Sequence, residues 1–432
     1  MLIVVSACNV PEQEAPVTPQ SAPMSLDTIA EAYVKLVLAV GQHDGDYVDA
    51  YYGPAEWKNA AEGAPLDLPT IRRRAAELIT AVESASVGDA DEMVALRRKY
   101  LKAQLAALAA RVDMLDGQTL TFDEESKALY DAVAPAYTEQ HFQKLLDELD
   151  PLLPGDGSLL ERVSEFRDRF VIPEDKVDAV FRASIDACRE RTQRHFELPE
   201  SESFVVEYVN DKSWSAYNWY QGNFHSLIQV NTDLPIRIDR AVDLACHEGY
   251  PGHHVYNVLL EKHLVQERGW VEFSVYPLFS PQSLIAEGTA NYGILVAFPG
   301  DERVAFERDV LFPLAGLDTS EAARYYDVHE KIESLDFAGN EAARRYLNGE
   351  IDREAAEGWL TRYALMAPER AAQRMRFVDQ YRSYVINYNL GQDLVRRHLE
   401  ARAGQDSAAI WDEFGRLLSS PRLPSGLVDR TL

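Results

Sequence analysis

The chain has 432 residues, 46% of them hydrophobic and 26% charged, which is the composition of a globular body with a sizeable core. Asp and Glu number 70 against 43 Lys and Arg, a formal net charge of −27, which argues against a nucleic-acid partner and for a strongly solvated surface. No segment reaches the ~18 consecutive apolar residues of a membrane span, so none is expected.

The first eight residues, MLIVVSAC, are apolar and end in small residues before Cys8, as in a lipoprotein signal whose cysteine becomes the lipid-bearing first residue. No Lys or Arg precedes Cys8, which departs from a secretory n-region and points to a start further upstream. Residues 9–25 contain NVPEQEAPVTPQSAP, four prolines with no run able to build a core, and read as an extended tether. Signal remnant (1–8) and tether together predict a lipid-anchored, periplasm-facing protein that touches the membrane only through Cys8. The competing reading is a chance apolar N-terminus on a cytoplasmic protein. Beyond Cys8 only Cys188 and Cys246 remain, too few for a disulfide framework, and the two are expected to stay unbridged, Cys246 as a small core residue.

The body, 26–432, is expected to be predominantly helical. Leu26, Ile29, Tyr33, Leu36, Val37 and Val40 share one helical face that stops at Gly41. DYVDAYYGPAEW reads as a turn, and further helices are expected at 69–85, 90–112, 123–133, 137–149, 158–169 and 174–196. The Pro/Gly-rich stretch 151–157 fits either a hinge between two halves or an ordinary loop. At 203–231 the segments SFVVEYV, SAYNWYQ and FHSLIQVN are rich in β-branched and aromatic residues, with Gly222-Asn223 turning between the last two, so a small sheet is expected. Its last strand, FHSLIQVN, is expected to edge the active-site cleft, where a peptide could add to it by main-chain hydrogen bonds; a purely structural hairpin is the alternative.

The chemistry concentrates in HEGYPGHH at 247–254. Adjacent His247 and Glu248 suit a zinc hydrolase, in which one imidazole holds the metal and the neighbouring carboxylate accepts a proton from water. In the common H-E-x-x-H arrangement the second ligand follows one turn later. Here the next histidines are His253 and His254, and in an unbroken helix the latter would lie about 10 Å along the axis, too far to share one ion. Pro251 removes a helical N–H and clashes with the carbonyl of His247, so the helix must bulge or break, bringing His253 back towards His247. His254 is either a further ligand or a group that hydrogen-bonds a carboxylate or the substrate. A third ligand should be a carboxylate from a separate helix. Glu287 in SPQSLIAEGTANYG at 280–293 is the leading candidate: Ser280 suits an N-cap, Leu284, Ile285, Ile294 and Leu295 suit a buried face, and small Ala286 and Gly288 allow close helix packing. After the motifs the chain is expected to be helical to the end, with one helix spanning 368–388. Within RSYVINYNLGQ, Arg382, Tyr384, Tyr388 and Gln392 include i, i+4 steps that would line a cleft. Tyr388 or Tyr384 could stabilise an oxyanion and Arg382 could hold a substrate carboxylate.

The strings HEGYPGHH, AEGTANYG and RSYVINYNLGQDLV resemble the bacterial domain-of-unknown-function 885 family, a zincin-like group taken to be metallopeptidases, over most of the chain from about residue 120 onward. More distantly, G-H-x-V-Y is similar to helical carboxypeptidases and oligopeptidases with HExGH followed by an aromatic. The resemblance implies His247, His253 and Glu287 as zinc ligands and Glu248 as general base. Thr289 and Leu390-Gly391-Gln392 depart from the family pattern. The expectation is thus a mainly α, multi-helical zincin-like architecture with a small β-sheet beside the active-site cleft, and a zinc metallopeptidase acting on a peptide or small amide. Two rivals stand beside it: an idle peptide-binding lipoprotein, and a hydrolase of non-peptide amides or esters.

Overall fold

The computed structural model describes residues 24–85 and 91–427, so Cys8 and nearly all of the tether lie outside the described residues. The fold is mainly α with two small sheets. The first helix, Leu26–Val40, starts where the Ser25 hydroxyl accepts the Thr28 N–H and ends at Gly41, and its Ile29, Tyr33, Val37 and Val40 are fully buried. Helices Leu68–Ser84, Glu92–Leu115, Phe122–Tyr130, Glu139–Leu149, Leu159–Asp168 and Val177–Gln193 follow the apolar periodicity. Two of their starts are set by capping boxes, Thr121 with Glu124 and Ser158 with Glu161. A single cluster of buried apolar side chains runs from Ile29 to Leu427. No helix among the described residues is long and apolar enough to cross a membrane.

Part of the DYVDAYYG segment is a strand rather than a turn. Val48–Tyr51 (β1) pairs antiparallel with Val275–Pro277 (β5), far along the chain. The second sheet holds Ser203–Val209 (β2), Ala216–Gly222 (β3) and His225–Asn231 (β4) in the order β2-β4-β3. This corrects the expected edge: β4 is central, parallel to β2 and antiparallel to β3, with both of its edges paired. The turn at Gly222, Asn223 and Phe224, all at positive φ, folds β3 back on β4, and β2 closes the other side. His225 bonds the Ser203 hydroxyl through Nδ1 at 3.1 Å.

Three further expectations are corrected. Cys188 and Cys246 form a disulfide, Cα atoms 5.8 Å apart. Cys246 does point into the core, away from His247, and the Val177–Gln193 helix brings Cys188 to that point, a meeting that a sequence separation of 58 conceals. Ser280 occupies the N-cap of the Pro281–Ala297 helix, but its side chain makes no capping bond, and Leu295 on that helix is 43% exposed. The helix expected over 368–388 is interrupted. Pro368–Tyr381 ends at Arg382, whose backbone sits at φ 52°, ψ −123°, and a 3₁₀ turn, Arg382–Val385, leads into Ile386–Ala403. Buried Glu125 anchors the break, accepting the Ser383 N–H at 3.1 Å, the Ser383 hydroxyl at 2.7 Å and Arg382 Nε at 2.7 Å. Three donors on one carboxylate outweigh the helical bonds given up.

Helices Pro281–Ala297 and Ile386–Ala403 cross at Gly288 and Gly391. A Cβ on Gly288 would stand 2.5 Å from the Gly391 backbone, and one on Gly391 would stand 2.8 Å from the Leu284 carbonyl oxygen. Glu287 sits beside this crossing.

Candidate metal centre

The HEGYPGHH segment does not continue as one helix. Asp239–Leu244 widens into a π turn at Ala245–Gly249, in which the Tyr250 N–H reaches the Ala245 carbonyl. Tyr250-Pro251 is a cis peptide and His253–Leu260 begins a new helix behind Gly252. Gly252 is required there, because a Cβ would overlap the carbonyl oxygens of His247 and Cys246. The break turns the second helix so that His253 Nε2 lies 3.1 Å from His247 Nε2. From the crossing helix, Glu287 Oε2 lies 3.3 Å from His247 Nε2 and 3.6 Å from His253 Nε2.

These three atoms fit a metal ion. Ligands about 2.0–2.1 Å from a tetrahedral zinc stand about 3.3–3.4 Å from one another. The three separations here, 3.1, 3.3 and 3.6 Å, bracket that value. Glu287 Oε2 is buried with no hydrogen-bond partner, while Oε1 accepts the Tyr384 hydroxyl at 2.8 Å, so one oxygen is engaged and the other is left facing the histidines. The His247 tautomer follows from its neighbours. The Tyr388 carbonyl can only accept, so Asn291 turns Nδ2 towards it at 3.1 Å and presents Oδ1 to His247 Nδ1 at 2.9 Å. His247 therefore donates from Nδ1 and keeps a lone pair on Nε2. Burial works against charge on His253, but the carboxylates of Glu287, Glu248 and Asp49 override it and raise its pKa to about 9. The same histidines hold Glu287 well below the usual carboxylate range despite its burial.

Glu248 is buried and lines the same cavity, of about 660 Å³. Burial pushes its carboxyl upward, with His247 and His253 opposing. Its backbone carbonyl accepts Asn218 Nδ2 at 2.7 Å, which ties the π turn to β3. Ser215, Ala216, Tyr217 and Asn218 of β3 and its approach line the cavity, whereas β4 reaches it only through its last residue, Asn231. Asp49 on β1 also lines it, accepts the Tyr217 hydroxyl, and is raised to about 7, chiefly by burial.

The remaining predicted residues divide. Tyr384, Tyr388 and Gln392 line the cavity. The Tyr384 hydroxyl donates a hydrogen bond to Glu287, whereas the Tyr388 hydroxyl makes none among the described residues. Arg382 is not part of the cavity wall: the backbone break turns its guanidinium to Glu125 at 2.7 Å. His254 does not reach substrate either. It is fully buried, with Nδ1 2.8 Å from the Ser226 hydroxyl and Nε2 2.9 Å from Glu202 Oε2. Its successive position turns it about 100° from His253, towards the sheet. Asn291 and Asp49 were not singled out from the sequence. Asn291 was accessible, being one turn beyond Glu287 on the same face, whereas Asp49 depends on the pairing of β1 with β5 and carries no local signal.

No family model matches the chain, and no curated protein matches it. The 885-family resemblance thus rests on its motifs. Among solved structures, the chain is similar to a candidate lipoprotein from Colwellia psychrerythraea, with 15% identity over 85% of this chain and 70% of that one and a TM-score of 0.52. It also matches metallocarboxypeptidase 1 of Trypanosoma cruzi at 15% identity over 91% of this chain and 88% of that one, TM-score 0.42. The M32 carboxypeptidase of Deinococcus radiodurans R1 matches at 13% identity over 91% and 88%, TM-score 0.45. The first of these likenesses extends to the fold: the chain is a mainly helical protein of that architecture, with a three-donor His, His, Glu cluster lining its cavity.

Proposed function

We propose that this protein is a zinc-dependent hydrolase that cleaves peptide bonds, with His247, His253 and Glu287 holding the ion and Glu248 as general base. The observation that carries the reading is the unpartnered Glu287 Oε2 facing two imidazole nitrogens at 3.3 and 3.6 Å, next to a buried carboxylate that has no other duty. Zinc is chosen over harder cations because two imidazoles and one carboxylate are its usual catalytic set. When bound, it supplies a Lewis acid that polarises a carbonyl and makes water a better nucleophile. Glu248 then takes the proton from that water on a carboxylate oxygen and returns it to the departing amine. Burial favours the protonated form in the second half of this exchange. Asn291 keeps His247 oriented, and Tyr384 keeps Glu287 from rotating. Tyr388, whose hydroxyl is uncommitted, is the donor for the developing oxyanion. The free edge of β3 is the place for an extended backbone to align by main-chain bonds. The binding-protein alternative leaves Glu248 without a use, and the non-peptide alternative employs the same groups on another substrate.

The N-terminal MLIVVSAC supports attachment to the cell envelope through Cys8, and the disulfide suits an oxidising compartment such as the periplasm. The test pairs metal analysis with activity. Wild type should contain about one zinc per chain. Glu287→Ala should lose it, and Glu248→Gln should keep it while losing cleavage of a mixed peptide library by about three orders of magnitude or more. Zinc without cleavage by wild type would replace the peptidase reading with one of the two alternatives.

A further inference from the structure

Six arginines line the cavity: Arg167, Arg237, Arg240, Arg303, Arg370 and Arg374. Carboxylates account for four of them. Arg303 reaches Asp243 at 2.8 Å and Glu307 at 2.9 Å, Arg240 reaches Asp243 at 3.2 Å, Arg237 reaches Asp168 at 3.1 Å and Arg167 stands 3.8 Å from Asp239. Arg370 and Arg374 are different. They lie one turn apart on the Pro368–Tyr381 helix, both line the cavity, and neither has a carboxylate within ion-pair distance among the described residues. The Nε atoms of Arg374, Arg167 and Arg237 are all buried without a hydrogen-bond partner.

Two arginines one turn apart that line one cavity with no carboxylate against either, Arg374 keeping a buried Nε without an acceptor, describe half of an anion site. We infer that Arg370 and Arg374 bind a carboxylate of the substrate, holding it while the bond to be cut lies over His247, His253 and Glu287. Burial, followed by the like charges of Arg237, Arg240 and Arg167, lowers Arg370 to about 10, which leaves it cationic at neutral pH and relieved by an incoming anion. The span is short. The Arg374 guanidinium carbon is 5.9 Å from the Tyr388 ring, and the Tyr388 backbone carbonyl is held by Asn291, the partner of His247. Paired arginines are suited to a planar, bidentate carboxylate. A second metal ion at the nearby Asp239, Asp243 and His329 is disfavoured, because Arg167, Arg240 and Arg303 already stand against those acids. A carboxylate held in the same cavity as the metal centre comes either from the free C-terminus of a peptide or from an acidic side chain beside the cleaved bond.

This inference rests on the hydrolase reading only for the position of the scissile bond, so binding is measured apart from turnover. Zinc-loaded full-length Glu248→Gln protein is titrated calorimetrically with N-acetyl-Ala-Phe as free acid, with its C-terminal amide, and with N-acetyl-Ala-Glu amide. The free acid should bind about 10- to 100-fold more tightly than its amide, the worth of a charge-assisted pair. Adding Arg374→Met or Arg370→Met should remove most of that preference, and Arg374→Lys should restore part of it. Tight binding of the Glu amide, lost in the same variants, would identify a side-chain carboxylate as the source. Equal affinity for all three peptides in the protein with both arginines intact overturns the proposal without recourse to a variant, and so does a preference that survives both Met substitutions. Cleavage of the same peptides by wild type separates the two readings: acid-selective binding without any cleavage sinks the peptidase alone, and cleavage indifferent to charge sinks the carboxylate site alone.

Discussion

At the scale of residues, the proposed centre is held in shape by side chains outside the His247, His253 and Glu287 cluster. Asn291 accepts from His247 Nδ1 because its own amide is committed to the Tyr388 carbonyl, and removing it frees the ring to rotate or to change tautomer. Asn291→Ala should weaken zinc binding by about 10- to 100-fold in competition with a chelator while leaving the far-ultraviolet spectrum unchanged. Unaltered affinity would show that packing alone orients His247. His254 has a second effect, at a distance from the cleft. Burial opposes the charge on Glu202, but His254, the Tyr250 hydroxyl and Arg189 overcome it and lower its pKa from 4.5 to about 2. A depressed carboxylate contributes stability above its unfolded pKa and loses that contribution as pH falls through the folded value. Glu202→Gln should therefore cost about 2 kcal/mol at pH 7, an amount discounted because Arg189 is half in water. Between pH 4.5 and about 2 the cost should shrink, as read from urea midpoints of the two proteins across that window.

At the scale of elements, the decisive contact is the crossing of Pro281–Ala297 with Ile386–Ala403. The two helices approach through Gly288 and Gly391, one residue from Glu287, so the height of that carboxylate over His247 is set by how closely the backbones meet. In Gly391→Ala the new methyl would face the Leu284 carbonyl at 2.8 Å and the Gly288 Cα at 2.9 Å, neither of which is a flexible side-chain end. The helices must separate, at a cost of about 1–3 kcal/mol, and zinc affinity should fall with thermal stability. A loss of stability with unchanged zinc content would uncouple the crossing from the ligand. The helix break at Arg382 belongs to the same scale. Glu125, from a helix far earlier in the chain, gathers Arg382 and Ser383 and fixes the 3₁₀ turn that carries Tyr384 and the start of Ile386–Ala403, which carries Tyr388 and Gln392, all three lining the cavity.

At the scale of the whole molecule, the Cys188–Cys246 bridge ties a distal helix to the residue preceding His247. Closing a loop of 58 residues constrains the unfolded chain by about 4 kcal/mol on the chain-entropy model. Denaturant unfolding with and without reductant should differ by a large fraction of that amount, and coincident curves would mean that the bridge does not form in solution. The six arginines lining the cavity gain meaning at this scale as well. In a chain of net charge −27 a cationic wall must be built locally, and it is assembled from helices separated by about two hundred positions.

What the sequence determined by itself are the features written in local chemistry. Apolar periodicity and end signals placed helices such as Leu26–Val40, Glu139–Leu149 and Leu159–Asp168 within a few residues, because each depends on side chains three or four positions apart. The same locality made HEGYPGHH legible: proline and glycine between the histidines require a break, and a break is what brings His253 back to His247. Tertiary structure alone decided the features that depend on partners far along the chain. β4 looked like an edge strand because its sequence says nothing of β2 closing its second side, and Cys246 looked free because Cys188 lies on another helix. Arg382 seemed to face the cleft while the helix was taken as continuous, and only the buried Glu125 carboxylate breaks it. Arg370 and Arg374 carry no signal in the sequence, since an arginine without an acidic partner is recognisable only when its neighbours in space are known.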